Sequence, residues 1–129
     1  MGPALYEDVF RSLESSGLRY AVIGGMALAL HGARRPATDL DVTVDPGPEH
    51  AHGAMRLLLH LGFHPTIPLP LSFCCRAHVD GSERRRRIDV LRRTFVPFST
   101  LWETSELVRS GDALVRVTSL AQLYSLQRA

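Results

Sequence analysis

Apolar positions along this chain change period several times, and each change marks an element. In Pro3 to Ser16, Leu5, Val9 and Leu13, joined by Phe10, form a helical stripe, with proline near the start and Gly17 just past the end. The short apolar run Ala21-Val22-Ile23 then stops at Gly24-Gly25, and Met26 to Leu30 are strong helix formers. A strand thus feeds a helix through glycine. His31-Gly32 closes that helix, and the connection from Ala33 to Thr38 carries Arg34 and Arg35. In Asp39-Leu40-Asp41-Val42-Thr43-Val44 apolar residues occupy the even positions, the period of a half-buried strand. Asp45-Pro46-Gly47-Pro48 makes a turn, after which Glu49 to Leu61 reads as a helix burying Ala51, Met55, Leu58 and Leu59, ended by Gly62.

The second half is richer in strands. His64 to Pro70 holds three prolines and no period, so it is expected to be a loop, followed by a strand over Leu71 to Val79. The turn residues Asp80-Gly81-Ser82 lead to a returning strand, Arg85 to Leu91, which pairs with it as a hairpin. A helical turn is expected near Trp102. Leu107-Val108 and Leu114 to Val117 flank Ser110-Gly111-Asp112 as a second hairpin, and Thr118 or Ser119 can cap a last helix through Leu120, Leu123, Tyr124 and Leu126. The whole chain, 1–129, reads as one globular domain, with no repeat, linker or low-complexity tract.

Three places in this pattern carry chemistry. Gly24 and Gly25 sit where a strand opens into a helix, so backbone can approach a ligand closely and the first N–H groups favour an anion such as phosphate. Strand parity puts Asp39 and Asp41 on one face, where two carboxylates repel unless a divalent cation offsets their charge. Asp89 lies inside the apolar run Ile88-Asp89-Val90-Leu91, a costly place for a charge that is neither paired nor metal-bound. Oxygen ligands beside a phosphate site suit Mg²⁺ or Mn²⁺.

Gly24-Gly25, His31-Gly32, Arg35, Thr38, Asp39-Leu40-Asp41 and Arg87-Ile88-Asp89-Val90-Leu91, in this order, resemble the DNA polymerase β-type nucleotidyltransferase superfamily. More narrowly, GGMALALHGARRPATDLDV is similar to the stand-alone prokaryotic AbiEii-like nucleotidyltransferases of toxin–antitoxin systems. The resemblance runs from about Leu5 to about Leu126. It implies an α/β fold with a mixed sheet and helices on one face. It also implies Gly24 and Gly25 as triphosphate binders; the motif position favours Arg35 near the nucleotide, strand parity adds Arg87, and Thr38 either bonds backbone at the turn or helps to position phosphate. Asp39 and Asp41 would then be ligands of two metal ions, and Asp89 a ligand of the catalytic ion and a base. In many members the second glycine is a serine whose hydroxyl meets phosphate. Gly25 offers backbone only. AbiEii-like proteins are generally longer, with a helical region after the catalytic core, which leaves room here for an antitoxin, a helical partner or a second copy of the chain.

Composition narrows the function further. The formal charge of +2 and pI near 8.8 do not by themselves indicate nucleic acid. All 15 basic residues are Arg, which excludes Schiff-base chemistry and a P-loop lysine. No apolar run of membrane-spanning length and no leader-like N-terminus occur, so a cytoplasmic protein without membrane contact is expected. Cys74 and Cys75 are adjacent and fit neither a disulfide framework nor a Cys-x-x-Cys site; the pairs His50/His52 and His60/His64 are poor zinc candidates. Arg84 to Arg87 reads first as a solvated hairpin arm. On an unbulged strand, however, Arg85 and Arg87 share the face of Asp89 and could hold a triphosphate or an acidic acceptor such as RNA. His31 and Trp102 read as structural residues. The expected activity is transfer of a nucleoside monophosphate from an NTP to an acceptor hydroxyl on RNA, protein or a small molecule, with release of pyrophosphate. The alternatives are a non-catalytic interaction protein that keeps the fold, and an RNA-binding module built on the arginine run.

Overall fold

The computed structural model describes residues 2–34, 36–68, 72–78 and 85–128. A 3-10 turn, Gly2–Tyr6, runs into α1 (Glu7–Ser16), whose buried side Val9, Phe10 and Leu13 is the stripe set by the sequence. Gly17 ends it in the left-handed region, at φ 78°. β1 (Tyr20–Ile23), α2 (Gly24–Leu30) and β2 (Asp39–Val44) follow, then α3 (Pro48–His60), which opens on proline in its first turn. β3 (His64–Pro68), β4 (Ser72–His78) and β5 (Arg85–Leu91) come next, then α4 (Phe98–Thr104), β6 (Glu106–Ser110), β7 (Ala113–Val117) and α5 (Leu120–Arg128). Ser119 rather than Thr118 caps α5, its hydroxyl accepting the Gln122 N–H at 3.3 Å.

Among the described residues the strands form one mixed sheet in the order β3-β4-β5-β2-β1-β7-β6. β1 lies antiparallel to β2 and parallel to β7, while β2 lies parallel to β5. Register puts Leu40 beside Ile88 and Val42 beside Val90, with Val22 across from Val42 and Tyr20 across from Val44. This apolar face packs under Val9 and Leu13 of α1 and Ala54 and Leu58 of α3. All four β1 residues are buried, and α4 also packs near β1. On β2 and β5 the opposite face keeps Asp41 and Asp89 only partly covered.

Two expectations are corrected. His64 to Pro68 is a strand, not a loop: it lies at the sheet edge, where proline is tolerated, and pairs with β4 through an irregularity between Pro65 and Ile67. On α3, Leu59 faces solvent at 44% exposure while Ala54 is buried in its place.

Candidate functional site

β1 stops at Ile23 and the chain turns at Gly24, whose φ of +70° is a conformation that L side chains rarely adopt. A Cβ on Gly24 would stand 2.7 Å from Asp41 Oδ2, so the glycine turn rests directly on that carboxylate. Around Gly25 nothing lies within 4 Å of where a Cβ would be. The turn is therefore closed on one side by Asp41 and open on the other, with the first-turn N–H groups of α2, which have no acceptor within the helix, beside it.

Parallel register between β2 and β5 sets Asp41 beside Asp89 and Asp39 beside Arg87. The strand parity expected for Asp39, Asp41, Arg87 and Asp89 thus holds, and two strands distant in sequence bring these residues to one surface. Asp41 is the most perturbed member. Burial, then the charge of Asp89, a hydrogen bond with it, and the charge of Asp39 push its carboxyl up to about 6, with Arg87 opposing. Arg87 donates from Nε to Asp89 at 3.4 Å.

The carboxylates fit a divalent cation in part. Asp41 and Asp89 hold unfavourable like charge at close range, which a hard cation would relieve, and both offer oxygen. Asp39 is exposed one step along the same face, and among the described residues no three acidic, His or Cys side chains converge as a ready-made ligand set. Completing a site would need Asp39 to swing inward or phosphate oxygens to supply the remaining ligands.

The other expected residues divide. Thr38 is exposed, and its carbonyl accepts a hydrogen bond from Tyr6 Oη. Arg35 lies outside the described residues, and so does Arg84; Arg85 is described only as a strand residue of β5. Arg86 corrects the picture of a wholly solvated arm. It is 8% exposed, donates to Asp8 Oδ1 at 2.7 Å and to the Leu5 carbonyl at 3.2 Å, and lies over the Phe63 ring at 4.6 Å. His31 Nε2 meets the Thr118 carbonyl at 2.8 Å, a structural contact as expected. Trp102 stacks on Phe98 and is covered by Arg116 at 4.6 Å.

One residue escaped the sequence reading. Tyr6, fully buried, donates its hydroxyl to the Thr38 carbonyl and accepts the Arg87 N–H at 3.1 Å. It ties the start of β2 to β5 beside the carboxylates. Burial, the largest influence, raises its pKa, so the hydroxyl stays protonated and able to donate.

No family model and no curated protein matches the chain. Solved structures do. The lincosamide antibiotic adenylyltransferase LnuA, in its lincomycin-bound form, is 15% identical, with a TM-score of 0.69 over 97% of this chain and 84% of that one. A Thermotoga maritima protein assigned as a nucleotidyltransferase is 16% identical, with a TM-score of 0.68 over 94% and 79%. ANT(2")-Ia, in complex with adenylyl-2"-tobramycin, is 14% identical, with a TM-score of 0.55 over 92% and 72%. At such identities the likeness is one of architecture, and this chain has the nucleotidyltransferase fold.

Proposed function

We propose that the protein transfers a nucleoside monophosphate from an NTP to an acceptor hydroxyl. The observation that carries this reading is Asp41, set beside Asp89 by strand register and directly beneath Gly24. A carboxylate pair with one member, Asp41, against the glycine turn suits metal-assisted phosphoryl chemistry better than a purely structural role, because the like charges oppose folding.

In this reading Gly24 and Gly25 receive the triphosphate through backbone N–H groups, and Asp39, Asp41 and Asp89 would hold Mg²⁺ or Mn²⁺. A bound divalent cation would supply charge neutralisation at the α-phosphate and leaving oxygens. Asp89 accepts the proton of the acceptor hydroxyl as that oxygen bonds to the α-phosphorus. The bond from the α-phosphorus to the bridging oxygen breaks, and pyrophosphate leaves with that electron pair. Arg87, and Arg35 by its place in the motif, offset negative charge near the phosphates, and Thr38 borders them.

The names of LnuA and ANT(2")-Ia describe adenylyl transfer to antibiotics, which makes a small-molecule acceptor the first to try. The AbiEii-like residue order adds RNA and protein acceptors, and with them a place in a toxin–antitoxin pair. Steep salt-dependent RNA binding that survives removal of the aspartates would favour the binding-module reading instead.

A thermal-shift titration with each of the four NTPs, with Mg²⁺ or with chelator, tests the reading. A ligand at ~100 times its dissociation constant adds about 2.7 kcal/mol of stability. Metal-dependent stabilisation by at least one NTP, lost on Asp39→Ala/Asp41→Ala, is expected. Absence of any NTP effect with either Mg²⁺ or Mn²⁺ would overturn it.

A further inference from the structure

A cavity of about 310 Å³ opens beside Gly24, between the β1–α2 turn, the segment after β5 and α5. Its walls are largely apolar: Ile23, Leu28, Leu91, Leu123 and Leu126. Ile23 and Leu91 share the strand face of the carboxylates, since Ile23 pairs with Asp41 and Leu91 lies two residues beyond Asp89. Phe95 stands at the rim with 78% of its surface exposed, and Gln127 is also on the lining. An exposed aromatic ring beside an apolar slot, with an amide in reach, suits a flat heteroaromatic ligand with polar edges.

We propose that this cavity receives the base and sugar of the NTP, with Phe95 stacking on the base. The inference rests on the nucleotidyltransferase reading, which puts the phosphates at Gly24. In-line displacement requires the acceptor to enter opposite the departing pyrophosphate. A cavity that shares Gly24 with the phosphate turn lies beside the donor's phosphates, where its nucleoside can reach. Its volume falls at the small end of ligand pockets, large enough for a nucleoside. A larger cavity of about 580 Å³ lies by Arg19 and Asp45, toward the opposite ends of β1 and β2; it adjoins the first through Arg93 and Thr94, but Gly24 is not on its lining.

The test compares calorimetric binding of ATP and of inorganic tripolyphosphate, each with Mg²⁺, to the native protein, Phe95→Ala and the cavity-filling Leu126→Trp. Unliganded melting curves verify that both variants fold. Native protein is expected to bind ATP at least tenfold more tightly than tripolyphosphate. Phe95→Ala loses about tenfold in ATP affinity, within the range of one base–aromatic stack. Leu126→Trp loses at least as much, and neither variant changes tripolyphosphate binding. Equal affinity for the two ligands, equal losses for both, or ATP binding untouched by both variants would overturn the cavity assignment and leave the enzyme reading standing. If neither ligand binds, and no other NTP does with Mg²⁺ or Mn²⁺, both fall.

Discussion

Replacing Asp41 by Asn should make the metal-free protein more stable and the enzyme inactive. The folded protein raises the carboxyl of Asp41 from 3.8 to about 6, mainly through burial and the neighbouring charge of Asp89. Because the folded state holds this proton more tightly than the unfolded chain, the site is free of penalty below pH ~4, and the penalty is complete above pH ~6. The full shift corresponds to a ceiling of about 3 kcal/mol, and partial solvent access reduces this to about 1–2 kcal/mol. Asn keeps a donor for the contact with Asp89 and carries no charge. In chelator at pH 7.5, urea or thermal unfolding should therefore find Asp41→Asn more stable by about 1–2 kcal/mol, a rise of several degrees in Tm for a chain of this size. The gap should close as pH falls to ~4. With Mg²⁺ the order should narrow or reverse, because only the native protein gains a bound ion. An Asp41→Asn protein that is less stable than native in chelator at pH 7.5, or whose advantage persists at pH 4, would refute the electrostatic account.

Other substitutions probe other parts of the site. Gly24→Ala should melt lower by about 1–2 kcal/mol for its left-handed backbone alone and should lose nucleotide binding, whereas Gly25→Ser, with open space, should melt like the native protein; equal melting of the two would contradict the turn geometry. Tyr6→Phe removes the hydroxyl that joins Thr38 to Arg87, costing about 1–2 kcal/mol in urea unfolding and lowering kcat more than it raises KM, while a pure stability loss would leave kcat intact. Asp8→Ala removes the carboxylate partner of the buried Arg86 guanidinium, leaving it the Leu5 carbonyl, and should cost about 1–2 kcal/mol by the same unfolding assay because Asp8 is half-exposed; a change under ~0.5 kcal/mol would mean the pair behaves as a surface contact.

Much of the site was legible because strands encode it locally. Period-two alternation in Asp39 to Val44 fixed both the strand and the shared face of Asp39 and Asp41. The same parity put Arg87 with Asp89, and it equally put Arg86 inward with Ile88 and Val90, a consequence hidden by reading four arginines as one solvated run. Tyr6 was not legible. A tyrosine at the end of the 3-10 turn that leads into α1 looks like any apolar anchor, and only its hydroxyl's distant partners distinguish it. The pairing of β2 with β5 joins residues more than forty positions apart, and no local pattern reports it. β3 escaped because its prolines erase the alternation that identifies a strand and are tolerated only at the edge.

The central claim is nucleotidyl transfer, and label position tests it most directly. The protein is incubated with Mg²⁺ and NTP labelled at either the α- or the γ-phosphate, together with separate small-molecule, RNA and protein fractions. The account predicts that α-label enters an acceptor fraction while γ-label leaves as pyrophosphate, and that Asp41→Asn abolishes both. Transfer of γ-label to acceptor, or incorporation that survives loss of Asp41, would contradict it.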